Sequence, residues 1–294
     1  MKWLRFFLIL IAVVLLIKTA LLLVAVYQLH QQLARSPIRS QNTPATYRLS
    51  YQLKTITSLD GTLLASWYIP SHPSQATVLL VPGLHRSKTD LLEVARQLNS
   101  AHYTTLLLDP RGEGASRGSH SYLGTKEWQD VVAAYATAKN LPESRGHPVG
   151  MIGFSTGADA VLLAAGRKGI GDFILTAVPF ADFNHLANYT LQIQHLPTWL
   201  SPWLLLAGQI EIGQGYQDQV PDKYIQDIHV PLLLIGANKD QSVPPTDATY
   251  LFSLANPPKQ LWQSPTGHHV YEDNPTAFGQ HMLGFIQGVA RERK

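Results

Sequence analysis

The 294-residue sequence contains no cysteine, which excludes disulfides, thiol nucleophiles and thiolate metal sites. It also has no acidic side chain before Asp60. Residues 1–45 carry Lys2, Arg5, Lys18, Arg35 and Arg39 with nothing to balance them. Taking these five from the 23 Lys and Arg leaves 18 against 20 Asp and Glu, a net of −2 for the rest of the chain. The formal net charge of +3 therefore belongs to the amino-terminal segment. A nucleic-acid footprint would have to be a basic surface on the folded part, which here is slightly acidic, so nucleic acid is not an expected partner. With 15% charged and 45% hydrophobic residues, the remainder is expected to fold around a sizeable core. Internal repeats and low-complexity runs are absent.

What the amino-terminal segment does have is a long apolar run. Residues 6–27 hold one charge, Lys18, and sixteen Phe, Leu, Ile or Val. At about 1.5 Å per residue a helix of this length reaches roughly 33 Å, enough for a bilayer core of about 30 Å. A cleaved signal peptide would need small residues at −3 and −1 of a cleavage site, and neither Ala25 nor the Ala34 and Ser36 pair before Pro37 offers one. Residues 1–29 are accordingly expected to be an uncleaved signal anchor, and 30–46, polar with Pro37 and Pro44, a tether. Lys2, Arg5 and the amino terminus, weighed against Arg35 and Arg39, put the globular domain on the non-cytoplasmic side by a narrow margin.

From residue 47 the pattern changes to short elements. Alternating runs over Tyr47–Ile56 and Thr62–Ile69, separated by Asp60-Gly61, predict a hairpin. Strands are then expected at Thr77–Val81, Thr104–Asp109, Val149–Phe154, Phe173–Val178, Pro231–Gly236 and Lys259–Gln263. Helices are expected at Asp90–Leu98, Lys126–Lys139, from Ala158, at Thr246–Ala255 and at Pro275–Val289. Such alternation predicts an α/β fold with a mainly parallel sheet covered by helices on both faces.

Gly153-Phe154-Ser155-Thr156-Gly157 falls where a buried strand meets a helix of small residues, the context required of a nucleophile elbow. An acid and a base follow in the order Ser, Asp, His, each just past a strand. Asp240 lies beyond Leu232–Gly236 and before Val243-Pro244-Pro245, where a carboxylate can accept the imidazole N–H. Asp247 is its rival, but its position at the start of the next helix suits a first-turn acid. The base is one of His268 and His269, at the end of Ser264-Pro265-Thr266-Gly267. A tetrahedral oxyanion needs two aligned N–H donors, assigned to Thr156 after the nucleophile and Leu84 in Val81-Pro82-Gly83-Leu84-His85. Arg111 is read as a loop-former rather than a substrate clamp, and the scattered His85, His120 and His185 lack ligand spacing, so no metal and no cofactor are expected.

With these segments in view, Tyr47 to Arg291 resembles the α/β-hydrolase superfamily, and within it bacterial membrane-anchored serine hydrolases of the esterase and lipase-like group. Beyond the elbow the likeness rests on Asp109-Pro110-Arg111-Gly112-Glu113-Gly114, Pro179-Phe180-Ala181-Asp182, Val230 to Asp240, and Gly267-His268. The family pattern puts the histidine directly after the glycine, which selects His268. Two departures stand out: Pro82-Gly83 where the family often has His-Gly, and Ala158 in place of a second glycine after the elbow. The resemblance implies a membrane-anchored hydrolase of carboxylic esters, acting on a small-molecule or lipid-like ester through an acyl-enzyme on Ser155. The same triad serves peptidases, thioesterases and acyltransferases, and the fold also occurs in non-catalytic binding proteins. It further implies a lid inserted at about 183–224 in a hydrolase domain of 47–294. The apolar, proline-broken stretch around Trp199 and Trp203 is expected either to cap an acyl pocket or lie on the membrane, or else to be ordinary core.

Overall fold

The computed structural model of the chain describes residues 2–35 and 40–292. A long helix α1, Lys2–Leu33, precedes a hairpin of β1, Gln52–Thr57, and β2, Leu63–Ile69. Strands and helices then alternate: β3 Ala76–Val81, α2 Leu92–Ser100, β4 Tyr103–Leu108, α3 Glu127–Lys139, β5 Val149–Phe154, α4 Thr156–Lys168 and β6 Ile174–Ala177. Before β7, Leu232–Ala237, the chain inserts α5, Phe183–Ile193, α6, Ser201–Glu211, and the one-turn α7, Pro221–Tyr224. It continues through α8, Asp247–Leu254, β8, Lys259–Ser264, a short α9, Val270–Asp273, and α10, Pro275–Glu292.

Among the described residues these strands form one eight-stranded sheet in the order β1-β2-β4-β3-β5-β6-β7-β8. The hairpin is antiparallel and adds to β4 antiparallel, while every neighbouring pair from β4 to β8 is parallel. Period-two alternation sends successive side chains of each strand to opposite faces. On β3, Val78 and Leu80 pack toward α2 and α10 with Leu92, Leu98, Phe278 and Met282. Leu79 and Val81 pack toward α3, α4 and α8 with Val131, Val161 and Leu251. Both faces are covered, which is why β5, β7 and the Val78–Val81 end of β3 read as continuous apolar runs instead of alternating ones.

Two expectations need correction. The strand expected from Tyr47 begins only at Gln52, because Pro44–Tyr47 forms a 3-10 turn and Arg48 adopts a left-handed φ of 58°. Tyr47, Leu49 and Tyr51 still pack on the core, so their alternation reflects burial of an irregular segment rather than strand pairing. The second concerns α1, which does not stop near Tyr27. Leu22, Ala25, Val26, Leu29 and Leu33 recur at three- and four-residue spacing and make the less exposed stripe of the helix. That stripe packs on α6. His30 Nδ1 lies 2.9 Å from Glu211 Oε2, and Leu33, only 1% exposed, joins Phe180, Phe183, Ile212 and Tyr216. Residues 30–33, expected to be tether, are thus the docked end of the helix. Ser36, Pro37, Ile38 and Arg39, the middle of the expected tether and one of the charges used for orientation, lie outside the described residues.

Candidate active site

The end of β5 and the start of α4 meet at Ser155, whose φ of 51° and ψ of −126° fold the chain into a sharp turn that side chains rarely adopt. The turn demands close approach. A Cβ on Gly153 would lie 2.4 Å from the Gly157 carbonyl oxygen, and one on Gly157 2.3 Å from that of Pro82, so both flanking positions require glycine. The Ser155 side chain stands at the carboxyl edge of the sheet, at the mouth of a cavity of about 300 Å³.

Ser155 Oγ lies 2.9 Å from His268 Nε2, and His268 Nδ1 lies 2.7 Å from Asp240 Oδ2. The loop after β7 holds Asp240 almost wholly buried, with its Oδ1 accepting the Ser242 and Val243 backbone N–H groups at 2.7 and 3.0 Å. From α5, the Tyr189 hydroxyl donates to the Asp240 carbonyl at 2.5 Å. The rival Asp247 is engaged elsewhere: its carboxylate accepts the Ala181 N–H at 2.9 Å and sits 3.4 Å from His185 Nδ1. Burial pushes Asp247 up to about 6. His269 packs its ring edge-on to His268 at 5.2 Å and also faces the cavity. Burial, then the nearby Arg86 and His268 charges, lower its pKa.

Leu84 and Thr156, the expected oxyanion donors, line the cavity beside Ser155. A Cβ on Gly83 would come within 2.9 Å of Ser155 Cβ, so the loop backbone runs directly against the serine. Sequence reasoning missed what supports this loop. The Glu113 carboxyl accepts the His85 N–H at 2.9 Å, bracing the segment where the family often has a histidine. Glu113 stands within the Asp109 to Gly114 run, but nothing local marks it, since its partner is 28 residues away in sequence. Arg111, by contrast, points into the fold. It binds Asp130, Asp60 and Ser58, with Nη2 2.6 Å from Asp130 Oδ1, and does not line the cavity.

Burial pushes Glu113 up to about 8, with the Glu127 and Asp109 carboxylates adding to the effect and the His85 bond and Arg35 opposing it. Between its ordinary value of 4.5 and about 8 the folded chain therefore holds a proton that the unfolded chain has released. Stability falls as pH rises through that window. The neutral isostere Glu113→Gln keeps an acceptor for His85 and removes this dependence. Its Tm is expected to gain on the wild type as pH is raised from about 5 to about 8. Equal Tm differences at both ends of the range would refute the assignment.

The wall of the cavity is largely apolar, built by Leu123, Phe154, Val178, Phe180, Leu186 and Val243, with Arg86, His85 and His269 at its polar side. Among the described residues, its lining includes no carboxylate. Leu186 is what the inserted helices contribute. Neither tryptophan of the expected lid lines the cavity, and neither is core: Trp199 is 66% exposed and Trp203 half-buried.

A mainly parallel eight-stranded sheet with a strand-turn-helix elbow at its carboxyl edge is the α/β-hydrolase fold, and it makes this protein a member of that superfamily. The chain belongs to the hydrolase family described as serine aminopeptidase, S33, whose family model matches residues 72–227. That span includes Ser155 and ends before Asp240 and His268. Similar sequences include the uncharacterized protein YqkD of Bacillus subtilis, 27% identical over 242 residues, covering 80% of this chain and 78% of YqkD. The uncharacterized protein YfhR of Escherichia coli is also 27% identical, covering 78% of each chain. Among solved structures, the Pyrococcus furiosus esterase Pf2001 superposes with a TM-score of 0.73 at 22% identity, covering 87% of this chain and 97% of the esterase.

Proposed function

We propose that the protein is a membrane-anchored serine hydrolase of carboxylic esters, with Ser155 as nucleophile, His268 as general base and then acid, and Asp240 as its orienting carboxylate. The observation that carries this reading is the unbroken hydrogen-bond chain from Ser155 Oγ through His268 to Asp240. The Asp240 carboxylate accepts a hydrogen bond from Nδ1–H, which holds His268 in the tautomer whose Nε2 can take the hydroxyl proton as Oγ attacks the ester carbonyl. The carbonyl oxygen becomes an oxyanion that the Leu84 and Thr156 N–H groups stabilise. His268 returns the proton to the departing alcohol, leaving an acyl-serine. Water then attacks the acyl carbon as His268 accepts its proton, and His268 returns that proton to Ser155 Oγ as the carboxylic acid leaves, restoring both residues.

A peptidase reading has the family description behind it, so the cavity lining matters. An aminopeptidase holds a cationic α-amino group, for which an acidic side chain is the natural partner. Here the cavity lining carries Arg86, His85 and His269 instead, alongside seven apolar side chains. This favours a neutral, acyl-bearing substrate. Turnover is accordingly expected for activated esters, with much weaker cleavage of aminoacyl amides, when ester, thioester and amide analogues of one acyl group are compared. Preference for the amide with a free α-amino group would reverse the assignment. The membrane anchor is α1, of mean hydropathy 3.0 over its most apolar window. In this reading the domain lies on the non-cytoplasmic side, an orientation supported by Lys2, Arg5 and the amino terminus against Arg35 and Arg39.

A further inference from the structure

Helix α1 has two parts. Trp3 to Leu21 is exposed on every side, 19 residues or roughly 28 Å at 1.5 Å per residue. That matches a bilayer core of about 30 Å. Beyond it the Leu22 to Leu33 stripe lies on α6. The His30 to Glu211 contact places the carboxyl-terminal ends of both helices side by side. Because the packed stripe runs back from there to Leu22, α6 lies parallel to α1 and its amino-terminal end points toward the bilayer. Counting back about ten residues along each helix from that contact brings Ser201, the start of α6, level with Ala20, and Trp199 follows in the 3-10 turn just before it, near the end of the span that the membrane would cover.

Near that level the inserted segment exposes large apolar side chains among polar ones. Every residue from 192 to 199 is exposed, including Ile193, Leu196 and Trp199, and Leu206 and Ile210 continue the surface along α6. An aromatic side chain at the edge of a membrane-crossing helix is where a bilayer interface accepts one. On the inner side, Leu29 and Leu33 of α1 share one apolar cluster with Phe180, Val243, Leu123 and Leu186, four side chains of the cavity wall. Apolar packing is therefore continuous from the bilayer boundary, along the seam of α1 and α6, to the side of the cavity.

We propose that the inserted helices are a lid seated in the membrane interface on the Ile193, Leu196 and Trp199 face, and that the substrate is an acyl ester resident in the bilayer. Its acyl chain enters beside α1 and lies against Phe180, Leu186 and Val243, while its ester reaches Ser155. This rests on the hydrolase reading and narrows it to a membrane-borne substrate.

The cysteine-free chain permits a direct test. Full-length Trp199→Cys, labelled with an environment-sensitive fluorophore, is inserted into phosphatidylcholine vesicles whose acyl chains carry bromine. Arg145→Cys, exposed in the loop before β5 at the far edge of the sheet, is the reference. The Trp199 probe is expected to lose most of its fluorescence and the Arg145 probe almost none. In the same vesicles, Leu196→Glu with Trp199→Glu is expected to lower the rate on an embedded long-chain ester relative to that on a soluble acetate ester. An unquenched Trp199 probe on a chain whose Ser155 still reacts with a fluorophosphonate overturns the membrane-seated lid. A probe shielded from solvent but not quenched assigns that face to a second copy and overturns it equally. A quenched probe on a chain inert to fluorophosphonate leaves the surface standing and overturns the bilayer ester as substrate, because the hydrolase reading beneath it has failed.

Discussion

Ser155→Ala is expected to abolish covalent capture of the protein by a fluorophosphonate and to lower ester turnover by at least about 10⁴-fold, with the fold intact. The loss follows from the hydrogen-bond chain: Ser155 Oγ is the hydroxyl held 2.9 Å from His268 Nε2, and the neighbouring Thr156 is already the first residue of α4. The fold should survive because alanine keeps the Cβ that the turn accommodates at φ 51°, so the elbow is no more strained than before. The measurement is labelling of purified wild type and variant, read beside their Tm. Unchanged labelling of Ser155→Ala would place the nucleophile elsewhere and remove the basis of the proposed mechanism.

The two adjacent histidines are expected to differ by orders of magnitude. His268→Ala leaves the serine hydroxyl without a base and strands the buried Asp240 carboxylate, and members of such a unit fail together. His269→Ala removes an imidazole that faces the cavity and packs on His268 at 5.2 Å, yet has no hydrogen bond to Ser155. It should cost far less, chiefly through looser placement of His268. At about pH 8, kcat on one activated ester is therefore expected to collapse in His268→Ala and to remain within about tenfold of wild type in His269→Ala. If His269→Ala is the dead enzyme, the base is His269 and the Gly267-His268 register is wrong.

Much of the architecture is legible along the chain because its causes are local. A strand buried on both faces favours a continuous apolar run, as in Leu232 to Ile235, and the hairpin is marked by Asp60-Gly61, where Gly61 takes φ 88°. The elbow is legible for the same reason, since Gly153 and Gly157 answer a steric demand of the turn itself. The order Ser155, Asp240, His268 along the chain is enough to nominate three residues at neighbouring strand ends.

Other features depend on partners distant in sequence, and no local pattern reports them. The choice between Asp240 and Asp247 is made in space: one carboxylate turns to His268, the other to Ala181 N–H across the base of the inserted helices. Glu113 braces the oxyanion loop through His85, and Tyr47 to Tyr51 alternate like a strand while packing as a coil. The largest such case is α1. Composition alone determined that residues 6–27 are long and apolar enough to cross a bilayer, because that requires only length and apolarity. Tertiary packing decided that the helix runs on to Leu33, and Leu29 and Leu33 become buried only when α6 and Phe183 are brought beside them.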